Sequence, residues 1–248
     1  MKVITGSPLL KLVAAVFVVL AFWLMIKYMT WEEDTMALPD TFVRPIIPAV
    51  PEDDEGIERT GHPVQVEVFY EALCPDSMNY IVDQLAPAVA KLPVDALNVI
   101  LVPYGKAKTY QRGSKVTFSC QHGPEECWAN KLHACGIRQA ANQTVSVQFV
   151  TCLMRHYRRL RLRAQQCAED SRLPWVQLSA CAAGSAIDPD IVRYGEMTQA
   201  LRPPAHFIPT ITVDQSQDGQ AAMFGNFLSF VCKAYETRSG KKPTGCPK

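Results

Sequence analysis

What this 248-residue chain most plainly lacks is charge of one sign: 25 lysines and arginines stand against 24 aspartates and glutamates, a formal net charge of +1. Affinity for a phosphate backbone needs a clear basic excess, so nucleic acid is not expected as a partner. There is no internal repeat and no low-complexity tract. A short Cys-x-x-Cys knuckle is missing as well. The spacings among Cys120, Cys127 and Cys135 are seven and eight, too wide for the usual structural zinc site, so no metal is expected even though His122 and His133 stand among them. Apolar residues are not scarce: at 48% of the chain they suffice to bury a core without help from disulfides.

One apolar run is long. It extends from Leu12 to Ile26, is bounded by Lys11 and Lys27, and is lengthened by Leu9, Leu10, Tyr28 and Met29. Residues 9–29 give about 20 positions, the length of a helix that crosses a bilayer. Lys2 and Lys11 precede the run, whereas Glu32, Glu33 and Asp34 follow it. The positive-inside bias then makes residues 1–29 a cytoplasmic tip and single transmembrane signal-anchor, with the remainder lumenal or extracellular in an endolysosomal, Golgi or cell-surface membrane. Signal cleavage, giving a secreted or lysosomal protein, is the alternative. It is disfavoured because the nearest small-x-small site ends at Ala37, too far downstream. Residues 30–63 turn to prolines and acids without apolar periodicity and read as a stalk.

The nine cysteines fit an oxidising lumen, and Asn142-Gln143-Thr144 is a glycosylation sequon. Cys120, Cys127, Cys135, Cys152, Cys167, Cys181, Cys232 and Cys246 are candidates for four bridges. Eight cysteines allow 105 pairings, and spacing does not choose among them. Cys74 is left over, in a different setting.

The folded part starts at Val64. Val64, Val66 and Val68 alternate with Gln65 and Glu67, which is strand periodicity. After Glu71-Ala72-Leu73-Cys74-Pro75-Asp76-Ser77, the apolar residues Met78, Ile81, Val82, Leu85 and Val89 recur at helical spacing. Pro75 suits a first turn, Pro87 should kink the helix, and Pro93 should end it. Leu97 to Val102 reads as a buried strand, completing a parallel crossover. Helical patterns follow over Glu126 to Ala140, Val145 to Leu162 and Trp175 to Ala183, then from Asp188 to about Leu201. Together they form a helical insertion over about 120–200, rich in cysteine. Phe207 to Val213 is expected as a strand broken near its start by Pro209, Ala221 to Phe224 as a short strand, and Gly225 to Tyr235 as a closing helix.

Disulfide exchange requires a thiolate. Cys74 falls at a helix amino terminus, where unpaired N–H groups and the positive dipole end favour an anion. The Ser77 hydroxyl, one turn on, is placed to donate to the sulfur, whereas Glu71 and Asp76 would oppose ionisation. The Ile208-Pro209 step at a strand start is a candidate cis bond. The order strand, cysteine-helix, strand, helices, proline-strand, strand, helix is that of an α/β thioredoxin-like fold, in which a cis-proline loop lies against the reactive cysteine and presents backbone to the substrate. Ile208 and Pro209 are therefore the candidate substrate-binding positions.

The stretch Cys120-Gln121-His122-Gly123-Pro124-Glu125-Glu126-Cys127-Trp128-Ala129-Asn130-Lys131-Leu132-His133-Ala134-Cys135 resembles the signature of the gamma-interferon-inducible lysosomal thiol reductase family. That signature runs CQHG, two residues, EC, two residues, N, four residues, C. The resemblance also takes in the strand before Cys74 and the Pro203 to Pro209 segment, and covers about Val64 to Cys246. It implies a thiol-disulfide oxidoreductase acting on disulfide-containing proteins in the secretory or endolysosomal lumen. Vertebrate members of that family carry a Cys-x-x-Cys pair, and here Ser77 stands in the second place.

With Cys74 and Ser77 as the catalytic pair, a mixed disulfide can form but cannot be resolved internally. Release then needs a small thiol such as glutathione or cysteine, with no bound cofactor. The alternative is a lumenal substrate-binding or chaperone-like module on the same fold, catalytically weak because of Ser77. The signature is expected to be scaffold, with His122 and Asn130 fixing a turn. Arg155, Arg158, Arg159, Arg161 and Arg163 read as a solvated helix face.

Overall fold

A computed structural model describes residues 17, 19–26 and 62–247 of the chain. The chain divides into two compact units, Met1–Gly56 and Ile57–Lys248. In the first, residues 17 and 19–26 are helical and exposed. Among the described residues no helix is long and apolar enough to cross a membrane. Most of the expected anchor over 9–29, and nearly all of the expected stalk over 30–63, lie outside the described residues.

The second unit is built on a mixed sheet of three strands, ordered β2-β1-β5. Strand β1 is Val64–Tyr70, β2 is Leu97–Pro103 and β5 is Thr210–Val213. β1 pairs in parallel with β2, Val64 opposite Leu97, and antiparallel with β5, Val66 opposite Val213. Val64, Val66, Val68, Phe69 and Tyr70 are all buried, as a central strand covered by helices on both faces requires. The outer edges are closed by side chains. Gln143 accepts from the Val99 N–H and donates to the Leu97 carbonyl of β2, each at 2.8 Å. Gln220 does the same at β5, accepting from the Ile211 N–H at 3.2 Å and donating to the Ile211 carbonyl.

The crossover between β1 and β2 is one helical run in three parts: α1 Pro75–Tyr80, a π-helical stretch Ile81–Leu85, and α2 Ala86–Lys91. The expected Pro87 kink takes the form of this widened turn, because Pro87 has no N–H to offer the preceding turn. Leu92 is extended ahead of Pro93 and ends the run.

A hairpin absent from the sequence expectations, β3 Lys108–Arg112 and β4 Lys115–Ser119, forms a separate antiparallel pair. Helices α3 Pro124–Gln139, α4 Gln143–Arg155, α5 Leu160–Asp170, α6 Trp175–Ala183 and α7 Asp188–Ala200 make up the insertion. The single helix expected over Val145 to Leu162 is instead broken at His156, with a 3-10 turn Tyr157–Arg159 between α4 and α5. This corner buries Leu160 and leaves Arg158 and Arg159 exposed.

A second correction falls at 221–224, where α8 Gln220–Gly225 replaces the expected strand. The residues are not β-branched. Gly219, at φ +82°, starts the helix, and the Gln220 amide takes the edge that a fourth strand would have paired. The strand expected from Phe207 begins only at Thr210, after Pro209, and the closing helix α9 is Phe227–Ser239.

All eight candidate cysteines are bridged, as Cys120–Cys127, Cys135–Cys181, Cys152–Cys167 and Cys232–Cys246. The second ties α3 to α6 and the third ties α4 to α5, so the insertion is stapled helix to helix. Closing a loop of the Cys152–Cys167 size constrains the unfolded chain by about 3 kcal/mol. Cys74 is free.

Candidate functional site

Cys74 is set by the end of β1 and the start of α1. The chain leaves the sheet at Tyr70, turns through Glu71-Ala72-Leu73, and enters the helix with Cys74 as its N-cap, at φ −80° and ψ 125°. Pro75 fills the first helical position, where no N–H is needed. Cys74 is 7% exposed and its thiol donates to the Ile208 carbonyl at 3.7 Å. The Ile208–Pro209 bond is cis, as is Arg202–Pro203. The two expected elements, thiol and proline loop, therefore meet.

Ser77 is fully buried, but its hydroxyl is used otherwise than expected. It accepts from the Glu71 N–H at 3.3 Å, so its contact is with the turn before the cysteine.

The same turn is held from the other side by the signature. Asn130 on α3 accepts from the Ala72 N–H at 3.0 Å. His122 places Nδ1 2.6 Å from Glu126 Oε2 and 3.6 Å from Glu71 Oε2, while its backbone N–H donates to Glu126 Oε1. The Cys120–Cys127 bridge closes the loop that carries His122. Glu71 Oε1 accepts from the Lys106 N–H at 2.7 Å. That approach requires Gly105, whose φ is +59° and on which any Cβ would enter the Glu71 side chain.

Burial is the main reason that the Glu71 carboxyl sits above its ordinary range. The Lys106 N–H opposes the rise, the Glu126 carboxylate adds to it, and His122 opposes it. Among the described residues, Glu71, His122 and Glu126 are the one cluster whose donor atoms lie within 4.8 Å of one another. His122 Nδ1 lies within reach of both carboxylates, and the three groups form a set that could hold a metal ion.

Deeper in α3, His133 is fully buried and bonds the Tyr70 hydroxyl through Nδ1 at 3.0 Å. Burial lowers its pKa to about 3 and raises that of Tyr70. Tyr70, Glu71 and Ala72 are thus gripped by His133, by the His122–Glu126 pair and by Asn130. The expectation of a turn-fixing scaffold gains its target: the turn leading into Cys74. Sequence reasoning named Glu71 only as a charge opposing ionisation of Cys74 and gave Glu126 no role. The only sign of Glu126 was its fixed place in the signature, four residues after His122.

Asn142 caps α4 by accepting from the Val145 N–H at 3.1 Å, and is exposed. In the arginine run, Arg161 pairs with Glu125 at 2.7 Å and lies 3.8 Å from the Trp128 ring centre.

A strand–cysteine–helix unit whose sulfur faces the carbonyl before a cis-proline is the arrangement of the thioredoxin-like thiol-disulfide oxidoreductases. The family model described as Gamma interferon inducible lysosomal thiol reductase (GILT) matches residues 65–171. GILT-like protein 1 of Drosophila melanogaster is 32% identical over 187 residues, 68% of this chain and 75% of that one. The Gamma-interferon-inducible lysosomal thiol reductase of Carassius auratus is 31% identical over 197 residues, 78% of this chain and 76% of that one. Among solved structures, alpha-DsbA1 of Wolbachia pipientis aligns with a TM-score of 0.48 at 10% identity, over 73% of this chain and 88% of that one. The chain belongs to the gamma-interferon-inducible lysosomal thiol reductase family.

Proposed function

We propose that the chain exchanges protein disulfides through Cys74 alone. The Cys74 thiolate attacks one sulfur of a substrate disulfide, forming a Cys74–substrate bond, and the other substrate sulfur leaves as a thiolate. A small thiol such as glutathione or cysteine then attacks the substrate sulfur. Cys74 leaves as the thiolate, and the small thiol stays on the substrate until a second equivalent removes it. Attack by a third cysteine of the substrate instead yields an isomerised disulfide, whereas attack by the freed thiolate only re-forms the original one. The observation that carries this is the single free cysteine at the helix start, against the Ile208 carbonyl, with Ser77 at the partner position.

The substrates are disulfide-containing proteins of the secretory or endolysosomal lumen. Residues 9–29 are the membrane anchor and Asn142 carries glycan; the exposure of Asn142 supports this placement. The test is turnover of a disulfide-linked substrate such as insulin by the full chain. Without glutathione a covalent Cys74–substrate adduct should accumulate, and with glutathione it should turn over. Both should vanish in Cys74→Ser. Clients held equally well by that variant, with no adduct in the parent, would make the chain a binding module instead.

A further inference from the structure

Two grooves of opposite charge are lined by chain neighbours of Cys74. The first, of about 490 Å³, is lined by Leu73, Tyr157, Leu162, Arg158 and Arg159 among others. The second, of about 720 Å³, includes Asp76, Asp83, Tyr80, Phe207 and Phe224. Each is tied to Cys74 by sequence or by contact. Leu73 directly precedes Cys74 and Asp76 follows it by two positions, while Phe207 precedes Ile208, whose carbonyl touches the thiol.

The charges in each groove are unanswered. Arg158 and Arg159 are exposed and have no acidic partner among the described residues. Arg158 contacts only the Tyr157 hydroxyl and ring, and the Glu125 nearby is taken by Arg161. Asp76 and Asp83 are exposed on the helical run and have no cationic partner among the described residues. The Tyr80 hydroxyl, on a ring 1% exposed, is buried with no hydrogen-bond partner. A buried polar atom left unpaired is uncommon and costly, and this one belongs to a residue that lines the second groove.

We propose that the two grooves read the sequence on either side of the substrate cysteine. The arginine groove takes acidic and apolar side chains; the aspartate groove takes basic and aromatic ones. The occupant is an extended polypeptide segment whose charge changes sign across its disulfide. This rests on disulfide exchange at Cys74. The apolar parts of both linings, Leu73 and Leu162 in one and Phe207 and Phe224 in the other, suit side chains that an unfolded segment exposes and a folded surface hides. Matched rather than like charges in a water-filled groove change the exchange rate by about threefold per arm, about tenfold over both arms, an effect that salt screens.

The test uses the full chain and three synthetic peptides, each carrying its cysteine as a mixed disulfide with 5-thio-2-nitrobenzoate. Their sequences are Glu-Glu-Leu-Cys-Phe-Lys-Lys, the reverse order, and a form with glutamine at every charged place. Attack by Cys74 bonds it to the peptide sulfur and releases the yellow thiolate, whose appearance gives the rate. One dipolar order should react about tenfold faster than its reverse, with the neutral peptide between, and high salt should level the three. The ratio of the two orders is taken within each variant, so a change in thiolate fraction cancels. It should fall severalfold in R158Q/R159Q and again, independently, in D76N/D83N. Equal rates for both orders, with yellow thiolate still released, would overturn the grooves and leave the exchange chemistry standing. No release from any peptide by the unaltered chain would overturn the exchange reading itself.

Discussion

His133 should make the folded protein lose stability in acid, by an amount that can be worked out. Its imidazole is fully buried, and burial lowers its pKa to about 3. In the unfolded chain an ordinary histidine takes a proton near pH 6.5. Between those values the unfolded state binds the extra proton, so the stability present above about pH 6.5 is lost as the pH falls towards 3. At about pH 5 the loss from this one residue is ~2 kcal/mol.

Glu71 acts in the opposite sense, because a raised carboxyl pKa favours the folded form as the pH falls. The total curve therefore mixes the two, and a difference between proteins is needed. His133→Asn keeps a polar atom near the Tyr70 hydroxyl and removes the titration. It should cost about 1–3 kcal/mol at neutral pH through lost packing. Urea unfolding under non-reducing conditions, followed by the fluorescence of Trp128 and Trp175, would be measured from about pH 7.5 to about pH 5. The stability gap between parent and variant should narrow by ~2 kcal/mol over that range. A gap that stays constant would refute the assignment of a neutral, proton-refusing His133.

Ser77→Cys would restore a second thiol one helical turn from Cys74, at the (i, i+3) spacing where side chains are neighbours. Adducts should then resolve without glutathione, read as substrate release in its absence, at a cost of about 1 kcal/mol for weakening the bond to the Glu71 N–H. Asn130→Ala strands the buried Ala72 N–H and should cost about 1–3 kcal/mol in urea unfolding, with a slower adduct-forming step at Cys74 because the turn that aims it is loosened.

The catalytic half of the fold was legible because local rules decide it. Alternation in Val64 to Val68, Pro75 at a first turn and the apolar spacing from Met78 to Val89 each point to one answer, and none depends on distant chain. The hairpin Lys108–Arg112 and Lys115–Ser119 was not legible, since most of its residues are exposed and only Val116 and Phe118 of the second strand alternate with polar neighbours. The helix Gln220–Gly225 was misjudged because a short apolar run does not reveal its period. The widened turn at Ile81–Leu85 shows only as a proline in a helical pattern.

At the site, Cys74 and Pro209 stood out through residue type and neighbours. The partnership of Glu71 with His122 and Glu126 did not, because those residues are far apart in sequence and meet only through the crossing of α3 over the end of β1. For the same reason the arginine run looked like a plain solvated face. Only the 3-10 turn Tyr157–Arg159 sets Arg158 and Arg159, which have no acidic partner among the described residues, apart from Arg161 on α5, which pairs with Glu125.

The two glutamines that close the sheet carry a consequence for the proposed exchange with protein substrates. A bare strand edge is a template onto which any extended polypeptide can add itself, and from which aggregates grow. Gln143 and Gln220 each present one side-chain amide in the posture of a peptide group, occupying the N–H and the carbonyl that a visiting strand would seek first. On that reading, a substrate brought to the sulfur finds those places on the edge already taken.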